Sequence, residues 1–233
     1  FRFMHIFSDY VVSNSHENIR MVKKLNPFLP EKKIRVVYNM IDFEKWSYSG
    51  SYKYDENKFK LVIAASHLYS KNLNGVIEAV NLLSSKEKSR LQIEWYGNIN
   101  NDDSLQKGLA KMESYGLKEN ILIFPATLDI ASKMKAAHCV GLFSFYEGLP
   151  NVVCEAMSLG KPVLASAISD VPFLVDDSFL CDPNSPKSIA QKITYMMSLS
   201  DEELSEIGNR NNKKALTLFQ KDKIVDTYLA LMK

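Results

Sequence analysis

The sequence lacks the compositional extremes that mark disulfide-rich, metal-binding or nucleic-acid-binding proteins. It has three cysteines in 233 residues, and 29 Lys and Arg against 27 Asp and Glu give a formal net charge of +2. Cys139, Cys154 and Cys181 are odd in number, show no metal-ligand spacing and lie in or beside apolar segments. This pattern predicts buried, reduced thiols of a cytosolic protein. The small net charge argues against a dedicated nucleic-acid surface.

Long apolar runs are absent as well. No stretch approaches the roughly 20 residues that a membrane-spanning helix needs, and no signal peptide is visible. The 46% hydrophobic and 24% charged residues are typical of a soluble globular protein. A chain of 233 residues is long enough for one full core and for parts of two domains. It starts with Phe1 rather than methionine, as expected for a fragment or for a processed chain.

From residue 59 onward, short apolar runs alternate with helical patterns. The apolar runs are continuous, as expected for strands covered on both faces. Predicted strands occupy residues 61–65, 91–96, 121–124, 140–145 and 162–165, with a weaker one at 179–181. Predicted helices occupy residues 73–83, 104–115, 130–137, 151–159, 186–198, 201–219 and 221–232. This alternation predicts an α/β fold, a Rossmann-like doubly wound parallel sheet with right-handed crossovers.

The first forty residues form a separate strand–helix–strand pattern. Residues 10–12 and 34–37 have strand character, and Ser15 is expected to cap a short helix between them. One such unit cannot bury its own faces, so it either joins the following sheet or belongs to a second domain. The polar, aromatic tract 46–58 is typical of a linker and favours the second option.

The segment 144–172, SFYEGLPNVVCEAMSLGKPVLASAISDVP, combines a strand end, a Gly-Pro loop, a helix and a second strand. Such a unit creates a ligand site at the carboxyl edge of a parallel sheet. If Asn151 caps the helix, the backbone amides of Val152 and Val153 are unpaired within it. Those donors and the helix dipole favour an anion, usually a phosphate or diphosphate.

Two glutamates, Glu147 and Glu155, bracket this helix start. A carboxylate repels an anion, so both side chains need another partner, and hydroxyl groups are the natural one. A diphosphate flanked by two hydroxyl-rich rings, as in a nucleotide sugar, meets both demands. The alternative is that the helix dipole favours one glutamate and water solvates the other. The pair together favours the ligand role over this alternative.

The same residues resemble a known family. Residues 147–155, EGLPNVVCE, match the E-x7-E signature of the retaining glycosyltransferases of family 4, which adopt the GT-B fold. Residues 144–148 and 155–163 resemble the runs that flank this signature in the family. Residues 37–42, VYNMID, resemble its asparagine–aspartate hinge, and residues 66–72, SHLYSKN, its phosphate-binding strand end. The resemblance covers nearly all of the chain.

The resemblance implies three parts, of which the main one is the C-terminal donor-binding half of a GT-B enzyme. Residues 1–48 would be a short remnant of the N-terminal acceptor domain with the hinge. Residues 49–220 would be the Rossmann-like nucleotide-sugar domain. Residues 221–233 would be a C-terminal helix that can cross back to the N-terminal domain. Because most of the acceptor domain would be missing, we expect the fragment alone to be inactive.

The resemblance also assigns roles to individual residues. Glu147 would contact hydroxyls of the transferred sugar, and Lys71 would neutralise the diphosphate and assist its departure, so these two are the implied catalytic residues. Glu155 would bind the ribose hydroxyls. Further donor contacts are implied at the loop, the helix start and the base pocket, namely at Gly148, Leu149, Pro150, Asn151, Val152, Pro125, Ala126, Thr127 and Leu128.

The sequence departs from the family pattern at Ser66-His67, where Gly-Arg is common. A second cation for the diphosphate is therefore missing or weaker. His67 is still a candidate donor-binding residue, because it can donate a hydrogen bond or become charged beside a phosphate. The alternatives are a histidine with only local bonds and, for Lys71, an ordinary surface lysine. No DxD-type carboxylate cluster stands at the motif, and we expect no metal or other cofactor, since basic side chains and helix amides stabilise the leaving group.

The expected function is the donor-binding part of a retaining glycosyltransferase. It would move a sugar from a UDP- or GDP-sugar to a sugar, glycan or lipid-linked acceptor, in polysaccharide or glycolipid synthesis. We expect a cytoplasmic protein, with the complete enzyme at the inner face of the membrane and with no nucleic-acid partner. A non-catalytic nucleotide-sugar-binding or interaction domain is the alternative. A nucleotide-sugar epimerase or dehydrogenase is disfavoured because residues 65–72, ASHLYSKN, lack the G-x-G-x-x-G turn.

Overall fold

The N-terminal part forms a small parallel sheet of its own. The computed structural model describes residues 7–50, 52, 54, 57–99 and 102–232. Strands β1 (Val11–Ser13) and β2 (Ile34–Val36) pair in parallel and are connected by helix α1 (His16–Leu25). Ser15 caps this helix as predicted, with its side chain accepting a hydrogen bond from Asn18 N at 3.1 Å. This unit does not join the larger sheet.

The larger sheet has six parallel strands. They are β3 (Phe59–Ala64), β4 (Leu91–Gly97), β5 (Ile121–Pro125), β6 (Cys139–Leu142), β7 (Val163–Ser166) and β8 (Leu180–Cys181). Their spatial order is β5-β4-β3-β6-β7-β8, and each neighbouring pair is parallel. The chain therefore builds outward from β3 in one direction and then from β6 in the other. This is the doubly wound order that the sequence predicted, with its switch point between β3 and β6.

Helices flank the six-stranded sheet. They are α2 (Leu73–Leu82), α3 (Ser85–Arg90), α4 (Ser104–Ser114), α5 (Ile130–Lys135), α6 (Asn151–Ser158), α7 (Val171–Leu174), α8 (Pro186–Ser198), α9 (Asp201–Leu218) and α10 (Lys221–Leu231). Helix α2 packs against α4 and α8, and α6 packs against α9. The sequence prediction missed α3 and α7. A signal for α3 existed, because Ser84 and Glu87 form a capping box at its start. Within the described residues, none of the helices has the length and apolar character to span a lipid bilayer.

The central strands are buried on both faces, which explains their continuous apolar sequences. Leu61, Ile93 and Trp95 are fully buried. The Trp95 indole donates a hydrogen bond to Ala65 O at 2.7 Å. At the end of β4, a Cβ on Gly97 would lie 2.0 Å from Ala65 O, so the backbone after β3 rests directly on this glycine. These contacts hold the loop after β3 at the carboxyl edge of the sheet.

Strand β6 ends at Leu142, three residues earlier than predicted. The apolar residues that follow are paired with the loop after β3 instead of with a neighbouring strand. Phe143 O accepts a hydrogen bond from Asn72 Nδ2 at 3.1 Å, and Phe145 N donates to Ser70 O at 2.9 Å. Their apolar character predicted a continuation of the strand, whereas their hydrogen bonds are made with the loop after β3.

The tract predicted as a linker, 46–58, packs on the sheet domain where it is described. Trp46 is only 5% exposed and belongs to the hydrophobic core. The Tyr48 hydroxyl donates to Asn209 Oδ1 at 2.6 Å, and the Tyr52 hydroxyl donates to Leu159 O. Residues 51, 53, 55 and 56 lie outside the described residues. The described part of the predicted linker therefore packs on the sheet domain, because its aromatic rings bury apolar surface there.

Candidate active site at the carboxyl edge of the sheet

The loops after β3 and β6 meet at the switch point of the sheet. In doubly wound folds, ligands bind in the crevice outside the carboxyl ends of the strands at this point. Lys71 ends a short 3-10 turn (Tyr69–Lys71) in the loop after β3, and Glu147 lies in the loop after β6. The two loops are joined by the backbone hydrogen bond from Phe145 N to Ser70 O. The topology therefore brings together residues that are 76 positions apart.

Lys71 and Glu147 form an ion pair there. Lys71 Nζ lies 2.6 Å from Glu147 Oε1, and the same oxygen accepts a hydrogen bond from Ser144 Oγ at 2.7 Å. The lysine and glutamate side chains are 21% and 16% exposed, so water screens their attraction less than it screens a surface pair. The two predicted catalytic residues are thus in direct contact. The ammonium can hold an anion, and the second carboxylate oxygen, Oε2, can accept hydrogen bonds from hydroxyl groups.

Helix α6 starts next to this pair, but Asn151 does not cap it as the sequence predicted. Pro150 occupies the N-cap position, and the amide of Val153 donates to Pro150 O at 3.0 Å. The Asn151 side chain instead accepts a hydrogen bond from Asn39 Nδ2 at 2.8 Å. Because proline offers no side-chain cap, the first-turn amides of Asn151 and Val152 have no intrahelical acceptor. These amides and the helix dipole favour an anion at this position.

The loop between Glu147 and α6 is held from the other side. Ser169 Oγ donates to Gly148 O at 2.5 Å, and Leu149 and Pro150 are buried. The Asn18 side chain of α1 also reaches this loop, because a Cβ on Gly148 would lie 3.4 Å from Asn18 Nδ2. The loop is therefore held by contacts with both the sheet domain and α1.

Glu155 faces a different cavity from the Lys71–Glu147 pair. This cavity of about 740 Å³ lies between α6, residues 38–46 and α10, and Asn39, Lys45 and Tyr228 line it with Glu155. Burial raises the pKa of Glu155, and Lys45 opposes this rise. A carboxyl group in this setting is suited to hydrogen bonds with neutral hydroxyls.

Of the four residues predicted to form the base pocket, Ala126 and Thr127 line a cavity of about 280 Å³ together with Ser66. Pro125 and Leu128 do not line this cavity. Pro125 is the last residue of β5, and Leu128 is 98% exposed. The cavity lies at the carboxyl ends of β3, β4 and β5, on the side of the switch point that carries Lys71.

The His67 side chain is buried beneath the loop after β3. It is 1% exposed, its ring stacks on Trp95 with centroids 6.0 Å apart, and neither ring nitrogen has a hydrogen-bond partner among the described residues. Burial lowers the pKa of His67 below its ordinary value. The charged imidazolium that the sequence suggested is therefore disfavoured here, because desolvation opposes the charge.

Asn72 is a site-building residue that sequence reasoning missed. It adopts a left-handed conformation with φ of 64°, and its side chain caps α2 by accepting from Gly75 N at 3.1 Å. The same side chain donates to Phe143 O and to Pro183 O at 3.1 and 2.8 Å. Asn72 thereby fixes the backbone next to Lys71. An asparagine before a helical pattern was a visible signal, but its long-range partners were not.

Asp170 is the second such residue. Its buried carboxylate accepts hydrogen bonds from His16 N at 3.0 Å, Glu17 N at 3.2 Å, His16 Nδ1 at 2.7 Å and the Tyr38 hydroxyl at 3.2 Å. It therefore fastens the start of α1 to the sheet domain. No local sequence pattern predicted this contact, because the partners of Asp170 are 132 to 154 residues away in sequence.

The described residues hold no group of three or more His, Cys, Asp and Glu side chains arranged to bind a metal ion. Cys139, Cys154 and Cys181 are buried and unpaired, as predicted. Burial raises the pKa of all three thiols.

The chain resembles proteins with established names over most of its length. The family model described as glycosyl transferases group 1 matches residues 44–215, more than half of the chain. The chain is 22% identical over 231 residues to N-acetyl-alpha-D-glucosaminyl L-malate synthase of Bacillus anthracis, covering 95% of this chain and 58% of that protein. It is 30% identical over 141 residues to O-antigen chain mannosyltransferase B of Escherichia coli, covering 59% of this chain and 36% of that protein.

Solved structures share the fold at low sequence identity. HepE of Anabaena, crystallised in complex with UDP and glucose, superposes with a TM-score of 0.84 at 18% identity, covering 98% of this chain and 64% of HepE. A TarM variant of Staphylococcus aureus in a complex that includes UDP gives a TM-score of 0.82 at 19% identity, covering 99% of this chain and 45% of TarM. The α/β architecture matches that of GT-B glycosyltransferases. The chain belongs to the family of the group 1 glycosyl transferases.

Proposed function

We propose that this chain is the donor-binding part of a retaining glycosyltransferase of family 4, which moves a sugar from a UDP- or GDP-sugar to an acceptor hydroxyl. The observation that carries the proposal is the contact between Lys71 and Glu147 at the switch point, beside the free amides of α6. A cation and helix amides suit a diphosphate, and a carboxylate beside them suits the hydroxyls of the attached sugar.

The proposed reaction is a substitution on one face of the anomeric carbon. The bond between the anomeric carbon and the diphosphate breaks while the acceptor oxygen bonds to the same face of that carbon. The leaving phosphate oxygen takes the acceptor proton, so no protein nucleophile is needed. Lys71 and the amides of Asn151 and Val152 stabilise the departing negative charge, and no metal ion is required for this. Glu147 positions and stabilises the sugar.

The rest of the nucleotide extends away from this pair. Glu155, whose pKa burial raises, binds the ribose hydroxyls. The base lies against the cavity formed by Ala126, Thr127 and Ser66, where backbone groups read its edge. His67 supports the loop from below and contributes to donor binding only if its ring turns outward.

The relatives support a role in polysaccharide or glycolipid synthesis. One of them is the capsular polysaccharide biosynthesis glycosyltransferase CapH of Staphylococcus aureus, 26% identical over 200 residues. The chain covers 54% of CapH and 58% of the Bacillus anthracis synthase. We propose that sugar, glycan or lipid-linked acceptors bind mainly to an N-terminal domain, that the complete enzyme works in the cytoplasm at the membrane face, and that the 233-residue chain alone does not transfer sugar. Robust transfer by this chain would contradict the last point.

Calorimetry with UDP, GDP and their sugars tests the proposal. We expect Lys71→Met to weaken nucleotide binding about 10- to 100-fold, since it removes a charge-assisted contact. Glu147→Gln is expected to keep nucleotide binding and to abolish most transfer in the complete enzyme. The exposed pair Lys118–Glu113, with Nζ and Oε1 2.8 Å apart, supplies the matched controls Lys118→Met and Glu113→Gln. Unchanged turnover of Glu147→Gln would remove Glu147 from the site.

A non-catalytic nucleotide-sugar-binding or interaction domain is the second candidate. The burial of His67 favours it, because the family commonly has an arginine for the diphosphate at this position and His67 does not reach the surface. Absence of binding to any of these nucleotides at millimolar concentration would favour an interaction domain over the transferase.

A further inference from the structure

The start of helix α1 lies against the loop that carries Glu147. Asp170 holds it there through hydrogen bonds from the backbone amides of His16 and Glu17, at 3.0 and 3.2 Å, and from the His16 ring, at 2.7 Å. These three hydrogen bonds define the position of the helix end closely, and a fourth from the Tyr38 hydroxyl, at 3.2 Å, holds the Asp170 carboxylate in place. Residues of the N-terminal unit thus have a fixed place beside the sheet domain.

Asn18 is the residue of α1 that this arrangement brings to the loop. Its backbone amide is bound by Ser15 Oγ at 3.1 Å, and its side-chain Nδ2 donates to Asn14 Oδ1 at 3.3 Å. A Cβ on Gly148 would lie 3.4 Å from Asn18 Nδ2 and 3.9 Å from Asn18 Oδ1. The amide group therefore lies next to Gly148, the residue that directly follows Glu147, and both its nitrogen and its oxygen are near the loop.

The amide belongs to a chain of asparagines that returns to the same loop. Asn14 Nδ2 donates to Asn39 Oδ1 at 3.3 Å, and Asn39 Nδ2 donates to Asn151 Oδ1 at 2.8 Å. Asn18 and Asn39 thus lie at the two ends of the segment 148–151, Asn18 beside Gly148 and Asn39 bonded to Asn151. Within the described chain, Asn18 Oδ1 accepts no hydrogen bond, and the side chain is half-buried. A neutral, oriented acceptor atom with one side held by protein is suited to a hydroxyl group and not to a phosphate.

We propose that Asn18 Oδ1 accepts a hydrogen bond from a hydroxyl of the transferred sugar and thereby takes part in selecting that sugar. The inference rests on the proposed function, because it needs the sugar to lie against Glu147 and Gly148. In this arrangement Glu147 accepts hydrogen bonds from hydroxyls on one side of the sugar ring. Asn18 accepts one from a hydroxyl on the side that faces the N-terminal unit. An acceptor that the protein partly shields from water disfavours a sugar that lacks or inverts the hydroxyl, because the acceptor is then left unpaired.

The test compares UDP-sugars with UDP on the full 233-residue chain by calorimetry, without acceptor. A panel of UDP-glucose, UDP-galactose and UDP-N-acetylglucosamine is titrated into wild type and into Asn18→Ala. For the sugar that wild type binds most tightly, we expect Asn18→Ala to lose about ten-fold in affinity, the size of one hydrogen bond, and to bind UDP within two-fold of wild type. Asn81→Ala, the same substitution in α2, is the matched control and is expected to change neither value.

Asn18→Asp separates binding from support of the loop. It keeps an oxygen that can accept a sugar hydroxyl, but it loses the donor to Asn14. If Asn18 binds sugar, Asn18→Asp retains most of the UDP-sugar affinity that Asn18→Ala loses. Equal losses in both variants, or a loss for UDP as large as that for the UDP-sugar, would assign Asn18 a structural role and overturn the inference.

The two proposals fail in different ways. If wild type binds no UDP, GDP or their sugars, the proposed function is wrong and the inference falls with it. If wild type binds UDP-sugars and Asn18→Ala binds them equally well, the proposed function stands and only the inference is wrong.

Discussion

Lys161 is a buried amine that should make the stability of the protein depend on pH near neutrality. Its side chain is fully buried, and Nζ donates to Ala137 O at 2.7 Å. The rings of Tyr52 and Tyr54 lie 3.4 and 4.7 Å from Nζ, measured to the ring centroids. Burial lowers the pKa of Lys161 to about 7, with the neighbouring Cys139 acting weakly in the opposite direction. In the unfolded chain a lysine has a pKa of about 10.4.

The sign of the effect follows from proton counts. Between pH 7 and pH 10 the unfolded chain keeps the Lys161 proton and the folded chain has largely lost it. Stability therefore rises with pH in this window, with a limiting slope of about 1.4 kcal/mol per pH unit. For a folded pKa of about 7, the gain from pH 7 to pH 8 is about 1 kcal/mol, since half of the folded molecules are still protonated at pH 7.

Lys161→Met removes the amine and keeps most of the side-chain length. At a fixed pH the net change is small, because the relieved desolvation is offset by the unpaired Ala137 carbonyl, about 1–3 kcal/mol, and by the lost contacts with the tyrosine rings, about 1–2 kcal/mol. The slope with pH is the informative quantity. We expect wild type to gain about 1 kcal/mol more than Lys161→Met between pH 7 and pH 8.

Urea unfolding at pH 7.0, 7.5 and 8.0 measures this difference. Taking the difference between variant and wild type cancels the titration of every other group. Lys187→Met, at an exposed position in the first turn of α8, is the matched control and should show the wild-type slope. Parallel slopes for wild type and Lys161→Met would refute the reasoning, because they would mean that the buried amine keeps an ordinary proton affinity.

Two further predictions concern contacts that hold the domain together. Gly208→Ala would place a Cβ 2.0 Å from Gly160 O, and because backbone cannot yield cheaply we expect a loss of about 1–3 kcal/mol in unfolding free energy. An unchanged urea midpoint would contradict this close crossing. Burial alone would raise the pKa of Asp170, but the hydrogen bonds from His16 and Glu17 outweigh it and hold the pKa below its ordinary value. The stabilisation by the Asp170 carboxylate is thus present above pH 4 and lost as pH falls through its folded pKa. Asp170→Asn should therefore lower the free energy of unfolding by about 1–3 kcal/mol at pH 7 and make stability depend less on pH in acid. An acid unfolding midpoint identical to that of wild type would contradict this prediction.

Much of the fold was predictable because its signals are local. Continuous apolar runs separated by helical patterns require buried parallel strands with crossover helices, and the six strands appear where those runs lie. Ser15 was predictable as a cap because a cap bonds an amide three residues away. The end of β6 was not, because Phe143 is apolar like a strand residue and its partner, Asn72, comes from another loop.

The candidate site likewise has features that the sequence predicted and features that it did not. The sequence predicted Glu147 and Glu155 as site residues from their spacing around a helix start, and the role proposed for them follows from their charge. Their surroundings were not predictable. Glu147 is paired with Lys71, whereas Glu155 opens to a cavity lined by residues 38–46 and α10.

The sequence by itself therefore determined where the strands and most of the helices lie, that Ser15 caps α1, and that Glu147 and Glu155 bracket a helix start. Only the tertiary structure decided how deeply the ionisable side chains are buried and which residues they contact. It buries the His67 ring with no hydrogen bond to its nitrogens from the described residues, places the Lys161 amine against two tyrosine rings, and brings Asn18 to Gly148. The reason is that propensities and caps depend on neighbours within a few residues, while solvation and ion pairing depend on segments that are far apart in sequence, 154 residues for His16 and Asp170, and that meet only when the sheet closes.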